Sequence, residues 1–293
     1  MSDRTFSILG AGRLGRTLGR ILVAQGYEPA GITARTVRSA RQAVAFIGGG
    51  EASSSNSRGA AKGDLVLITT PDGAIAPLAR ELAASRLTWS KRIVAHTSGA
   101  LSSAALVPLA RQGARTASLH PLASVADPRT GLETLKGTPF AIEGDPAAVA
   151  ALRKLVLGLG GVPVTIPRQA KVLYHLVACL LSNDLVALLS IGLDAARGLG
   201  LSRRDAARLY LPLVRGTVEN VARLGPVKAL TGPVSRGDVT TLRLHGEALR
   251  TLPPDLRRLH RILALRSTAL ALEARTITPE TAVQLARLLS ALP

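Results

Sequence analysis

Three groups of residues in this chain have types and spacing suited to chemistry. The first is Gly10-Ala11-Gly12-Arg13-Leu14-Gly15, preceded by the apolar run Phe6-Ser7-Ile8-Leu9 and followed by helical spacing from Thr17 to Val23. A G-x-G-x-x-G turn between a strand and a helix points to dinucleotide binding. Gly10 allows the tight turn, Gly12 lets a pyrophosphate approach the backbone, and Gly15 lets the helix pack closely on the strand. The free N–H groups at the start of that helix then receive phosphate. The second group is Ala34-Arg35-Thr36-Val37-Arg38-Ser39. A fold that prefers NAD places Asp or Glu roughly 20 residues beyond the glycines, on the ribose 2′-hydroxyl. Here Arg35 and Arg38 stand where they could clamp a 2′-phosphate, with Thr36 or Ser39 as neutral donors. NADP is therefore expected over NAD, although arginines are common throughout the chain. The third group is Lys171 and His175, four residues apart and so on one helical face. Either could move a proton at a substrate oxygen or nitrogen while a hydride moves at the adjacent carbon. Asn183 lies further along the same segment, rotated from Lys171. On spacing alone these three also fit an exposed Lys, a hydrogen-bonded core His and a satisfied Asn.

The elements that must position these residues alternate. After the first strand and helix, residues 29–34 predict a second strand, and 48–63 a loop of small residues with little capacity for a core. Asp64 to Thr70-Pro71-Asp72, Arg92 to Thr97-Ser98-Gly99 and Thr116 to His120-Pro121 each run from an apolar strand into a small or polar exit. Strands alternating with helices predict a parallel sheet with ligands at its carboxyl ends. Thr70 and Pro71 would then border the cofactor, and Ser98, Gly99 and His120 the substrate. Residues 138–143 and 162–166 predict two more strands. From about Arg168 only helical periodicity remains, near 169–198, 203–223, 239–250, 254–274 and 279–291. The expectation is an α/β chain: a Rossmann-type dinucleotide domain over 1–167 and an all-helical domain over 168–293. In the turn Leu230 to Asp238, Arg236 could bind a carboxylate, and Asp238 could cap the following helix.

Hydrophobic residues make up 47% and charged residues 19% of the 293, enough for packed cores. Aromatics are only 2%, too few to stack bases along a single strand. The formal charge of +18 would steer anionic ligands, but the arginines are dispersed and no nucleic-acid motif accompanies them. The single cysteine, Cys179, excludes an internal disulfide, and no His/Asp/Glu cluster has metal-ligand spacing. The apolar stretch Leu176 to Leu193 is interrupted by Ser182-Asn183-Asp184 and is expected to be a buried helix, not a membrane span. With no signal peptide discerned, a cytoplasmic location is expected.

Taken together, Gly10-x-Gly12-x-x-Gly15, His96 to Leu101, Ser118 to Leu122, Lys171-x-x-Tyr174-His175 with Ser182-Asn183, and Leu230-Thr231-Gly232-Pro233-x-x-Arg236-Gly237-Asp238 resemble a known family. It is that of the Rossmann-like proteins with a C-terminal helical domain of unknown function. Its architecture is similar to that of pyrroline-5-carboxylate reductase, the deazaflavin-dependent NADP reductases, and the 6-phosphogluconate and 3-hydroxyisobutyrate dehydrogenases. The resemblance implies a helical domain that closes the cofactor cleft and forms a homodimer. It also implies a catalytic role at Lys171, although the hydroxyacid dehydrogenases carry Asn where this chain has His175. An oxidoreductase acting on a small carbonyl, hydroxy or imino compound follows. The alternative is a regulatory protein that senses NADP(H) without turnover.

Overall fold

The computed structural model describes residues 5–291. It divides after Ser182 into two compact units. The first is built on one eight-stranded sheet, formed by β1 (Thr5–Leu9), β2 (Glu28–Thr33), β3 (Glu51–Ser53), β4 (Leu65–Ile68), β5 (Ile93–His96), β6 (Arg115–Pro121), β7 (Pro139–Gly144) and β8 (Val162–Thr165). Their order across the sheet is β3-β2-β1-β4-β5-β6-β7-β8. Every neighbouring pair is parallel except β6 and β7. The chain reverses its direction of strand addition at β1, so the crevice between the carboxyl ends of β1 and β4 is the switch point where such sheets bind ligands.

The helices of this unit are α1 (Arg13–Ala24), α2 (Val37–Ile47), α3 (Asn56–Ala60), α4 (Asp72–Ala84), α5 (Val107–Ala110), α6 (Pro128–Thr134), α7 (Pro146–Gly158) and α8 (Lys171–Leu181). The central strands are apolar on both faces because helices cover both. Phe6, Ile8, Leu65 and Leu67 point into a core shared with Leu18 and Leu22 of α1 and Leu152 and Val156 of α7. Leu9, Val66 and Ile68 point the other way, against Ile75, Leu78 and Leu82 of α4. The period of two along each strand thus builds both cores.

The parallel sheet is borne out at every pair but one, and the loop expected at 48–63 is not. The sheet is not wholly parallel, since β7 returns antiparallel to β6 after a connection whose helix is only the short α6. Alternation of strand and helix does not encode that reversal. Nor is 48–63 an empty loop: it holds β3 and α3. Small residues are what allow this segment to pack, because a Cβ on Gly31 would collide with Gly59 O, the same oxygen that accepts a bond from Ser7 Oγ at 2.7 Å.

The second unit contains α9 (Asn183–Ala195), α10 (Arg203–Ala229), α11 (Val239–Leu249), α12 (Pro254–Glu273) and α13 (Pro279–Ala291). Gly225, at φ 75° and ψ 162°, interrupts α10, and Asp238 caps α11 by accepting from Thr241 N at 3.0 Å. The core of this unit is Val234, Leu242, Ala271, Ile277 and Leu285. The expected single long helix is broken at Ser182, so α8 belongs with the sheet and α9 does not. It is also not buried as expected. The segment Arg168–Leu199 has a mean hydropathy of 2.0 with none of its apolar window buried, long and apolar enough by composition to cross a membrane.

Candidate functional site

The glycine turn connects β1 to α1 beside the exit of β4. Gly10 has φ +91°, and a Cβ there would stand 2.5 Å from Thr70 Cγ2. A Cβ on Gly12 would meet nothing closer than Gly10 O at 3.9 Å, so this position faces open space. A Cβ on Gly15 would collide with Thr69 Oγ1 and lie 2.9 Å from Ile8 Cγ2. Each glycine thus has a distinct steric reason: turn, approach and close packing. Ala11 N is held by Thr33 O at 2.7 Å, which fixes the loop, while no side chain caps α1 and its first turn has no acidic residue. The amides of Arg13, Leu14 and Gly15 are thereby left for an anion. Thr70 Oγ1 is buried beside the turn without a hydrogen-bond partner. At the end of β2, Ala34 is half-buried, and Arg35 and Arg38 are exposed with no ion pair among the described residues. Thr36 caps α2 by accepting from Ser39 N at 3.1 Å. These features fit a dinucleotide whose 2′-position carries phosphate.

A second constellation gathers at the exits of β5 and β6, under α8. Lys171, only 1% exposed, donates from Nζ to Ser98 O and to Ser118 Oγ, each at 2.8 Å. Ser98 is itself pinned: its Oγ donates to Asp72 Oδ2 at 2.7 Å and accepts from Leu101 N at 2.9 Å. His96 Nδ1 accepts from Ser98 N at 3.2 Å, so its Nε2 carries the proton given to Ser102 O at 3.0 Å. His120 Nδ1 meets Tyr174 Oη at 2.9 Å, and the His120 and His175 rings stand edge to face with centroids 5.9 Å apart. Gly99 makes this approach possible, because a Cβ there would collide with His175 Nδ1 and come within 2.9 Å of His120 Nε2. His175 Nδ1 is buried without a partner among the described residues, while its Nε2 lies 3.7 Å from Cys179 Sγ.

Burial governs the protonation of this cluster. It pushes the Lys171 ammonium down to about 8, against the pull of Glu143 and Asp72, which favour the charge. Burial, then Lys171, then His175 push His120 down to about 4, so its imidazole is neutral at pH 7. His96 is lowered chiefly by burial as well, and burial raises the Tyr174 phenol to about 12. Glu143, 4% exposed on β7, accepts from Ser103 N and from Ser103 Oγ at 2.9 Å. Its outer oxygen faces Arg168 Nε at 3.5 Å.

Of the residues expected from sequence, Gly10 to Gly15, Thr70 and Pro71 meet at the β1–β4 crevice, while Ser98, Gly99, His120, Lys171 and His175 meet at the second cluster. Asn183 opens α9 and Arg236 ends a short turn at Val234–Arg236, both exposed and both in the second unit. Asp72, His96, Ser118, Glu143 and Tyr174 were not assigned roles. A signal existed for two of them: Tyr174 lies three residues from Lys171, and Glu143 is a lone carboxylate in an apolar strand.

Residues 3–121 match the model of a Rossmann-like domain, and residues 138–267 match a domain of unknown function (DUF2520). The chain thus carries a Rossmann-like domain followed by a stretch that matches DUF2520, and its C-terminal region is helical. No curated protein matches it. A Bacteroides fragilis protein assigned as an NADP oxidoreductase superimposes with a TM-score of 0.73 at 20% identity, covering 91% of this chain and 98% of the other. A Thermotoga maritima protein gives 0.67 at 25% identity, over 95% and 98%. A reductive aminase from Aspergillus terreus, in complex with NADPH and ethyl levulinate, gives 0.61 at 17% identity, over 98% and 92%. These likenesses establish a shared fold.

Proposed function

We propose that the protein is an NADP-dependent oxidoreductase acting on a small carbonyl, hydroxy or imino compound. The observation that carries this reading is the buried Lys171 amine, held by Ser98 O and Ser118 Oγ at the carboxyl ends of two strands of a dinucleotide-type sheet. Moving an amine from water onto two neutral acceptors costs free energy, and a perturbed lysine at the ends of such strands supports a proton-transfer role. The amides of Arg13 to Gly15 would hold the pyrophosphate, Arg35 and Arg38 the 2′-phosphate, and Thr70 Oγ1 would gain a partner. The NADP oxidoreductase and the NADPH complex among the structures of this fold support the same choice.

Bound NADPH would supply the hydride. Lys171, pushed down to about 8, is mostly protonated at pH 7 yet close enough to neutrality to give up a proton to the substrate heteroatom and be reprotonated. In the reverse direction the neutral amine takes that proton. His120, neutral and tied to Tyr174, borders the reacting group as a fixed dipole. His175 packs on Gly99 and is the second candidate for the proton.

Lys171→Ala is expected to lower turnover by about 10²–10⁴-fold, with NADPH affinity within about twofold of the wild type. A sensor has no turnover to lose. His175→Ala separates the two candidates: a loss confined to Lys171→Ala assigns the proton to the lysine. Unchanged turnover in Lys171→Ala would refute the assignment.

Homodimer formation through the helical region belongs to the same proposal. Val186 of α9 and Leu213 of α10 are 67% and 68% exposed, apolar surface of the second unit that a second copy would cover. The break at Ser182 and the carboxylate of Asp184 in mid-segment weigh against a membrane as the cover.

A further inference from the structure

A cavity of about 430 Å³ opens beside the second cluster, lined by Ala100, Leu101, Ser102, Arg168, Gln169, Lys171 and Val172. Its chemistry is one-sided. Ala100, Leu101 and Val172 give it apolar walls, its charged residues are Arg168 and Lys171, and no carboxylate lines it. Glu143 pairs with Arg168 through Nε, and Ser103 donates to both of its oxygens. That ion pair engages the guanidinium on its Nε side and leaves the Nη edge for another acceptor, the edge through which Arg can take a carboxylate with two parallel bonds. Arg168 is half-exposed, so a ligand can reach it. Lys171 lines the cavity and also belongs to the proton-transfer cluster, so the two sites share a residue three positions from Arg168.

We propose that this cavity is a carboxylate subsite, with Arg168 as the clamp, Ser102 and Gln169 as neutral donors, and Ala100, Leu101 and Val172 receiving a short hydrocarbon body. The substrate class is then a small keto, hydroxy or imino acid. This rests on the proposed function for its reaction and extends it by naming the anionic group.

The test needs no cofactor. In the ¹⁵N-labelled full chain, pyruvate should give saturable amide shifts at residues 100–102 and 168–172, whereas the neutral analogue 2,3-butanedione should not. Arg168→Gln should weaken pyruvate binding at least tenfold with the remaining spectrum and NADPH affinity unchanged, and Arg168→Lys should recover part of it. Equal binding of the neutral analogue, an Arg168→Gln chain that binds pyruvate as well as the wild type, or pyruvate shifts elsewhere only would overturn the subsite. Pyruvate binding that persists in a chain with no affinity for NADPH would refute the oxidoreductase reading and leave the subsite standing.

Discussion

The two units spend their apolar residues differently. In the sheet unit, both faces of β1 and β4 are covered, and Ile8, Leu9, Leu67 and Ile68 are fully buried. In the helical unit the buried core is small, while Leu209, Leu213, Val218 and Ile262 remain more than half exposed. The first unit therefore specifies its own interior and can hold a cluster of perturbed groups rigidly. The second leaves more of its apolar side chains exposed, and these are what the proposed dimer would cover.

The largest expected effect lies in the first interior. Leu67→Ala should cost about 2–5 kcal/mol of unfolding free energy, measured by urea denaturation, because the sheet cannot collapse around the void. Its counterpart in the helical unit, Val186→Ser with Leu213→Ser, should change folding of the dilute chain by less than about 0.5 kcal/mol. The same double variant should weaken self-association at least tenfold in sedimentation velocity. A large folding defect would mean that this face is internally packed and would erase the contrast.

Titration gives a contrast of intermediate size. His96 and His120 have folded-state values below the ordinary 6.5. Their contribution to stability is complete above about 6.5 and is lost as pH falls from there toward about 4, the value of His120. Lys171 is also depressed, from 10.5 to about 8, so the folded state binds fewer protons than the unfolded one in that window, and stability rises with pH through it. Denaturation midpoints measured from pH 4 to 7 should climb, and His120→Phe should flatten the climb. A midpoint independent of pH would show that burial does not set the charge of this cluster.

How much was legible follows the range of the interactions. The glycine turn could be read because its three requirements fall within six residues, and Ser98, Gly99 and His120 because each closes an apolar strand. Lys171 and His175 shared a face by spacing, but their partners did not announce themselves. Ser118 lies 53 residues from Lys171 in sequence, and Glu143 lies 40 from Ser103. Such pairs are set by strand order, which alternation does not specify, and the reversal of β7 that brings Glu143 opposite Ser118 is of this kind. The α8–α9 segment misled because an apolar helix has the same composition whether its own chain or another surface covers it.

The β1–β4 crevice is proposed to bind NADPH, with Arg35 reading the 2′-phosphate. A fluorescence titration with NADPH and NADH, at low and at high salt, tests it most directly. Tight binding that prefers NADPH and survives salt is expected, with the preference falling about tenfold in Arg35→Ala, the loss of one charge-assisted contact. Binding to neither nucleotide, or binding that salt abolishes equally for both, would contradict it.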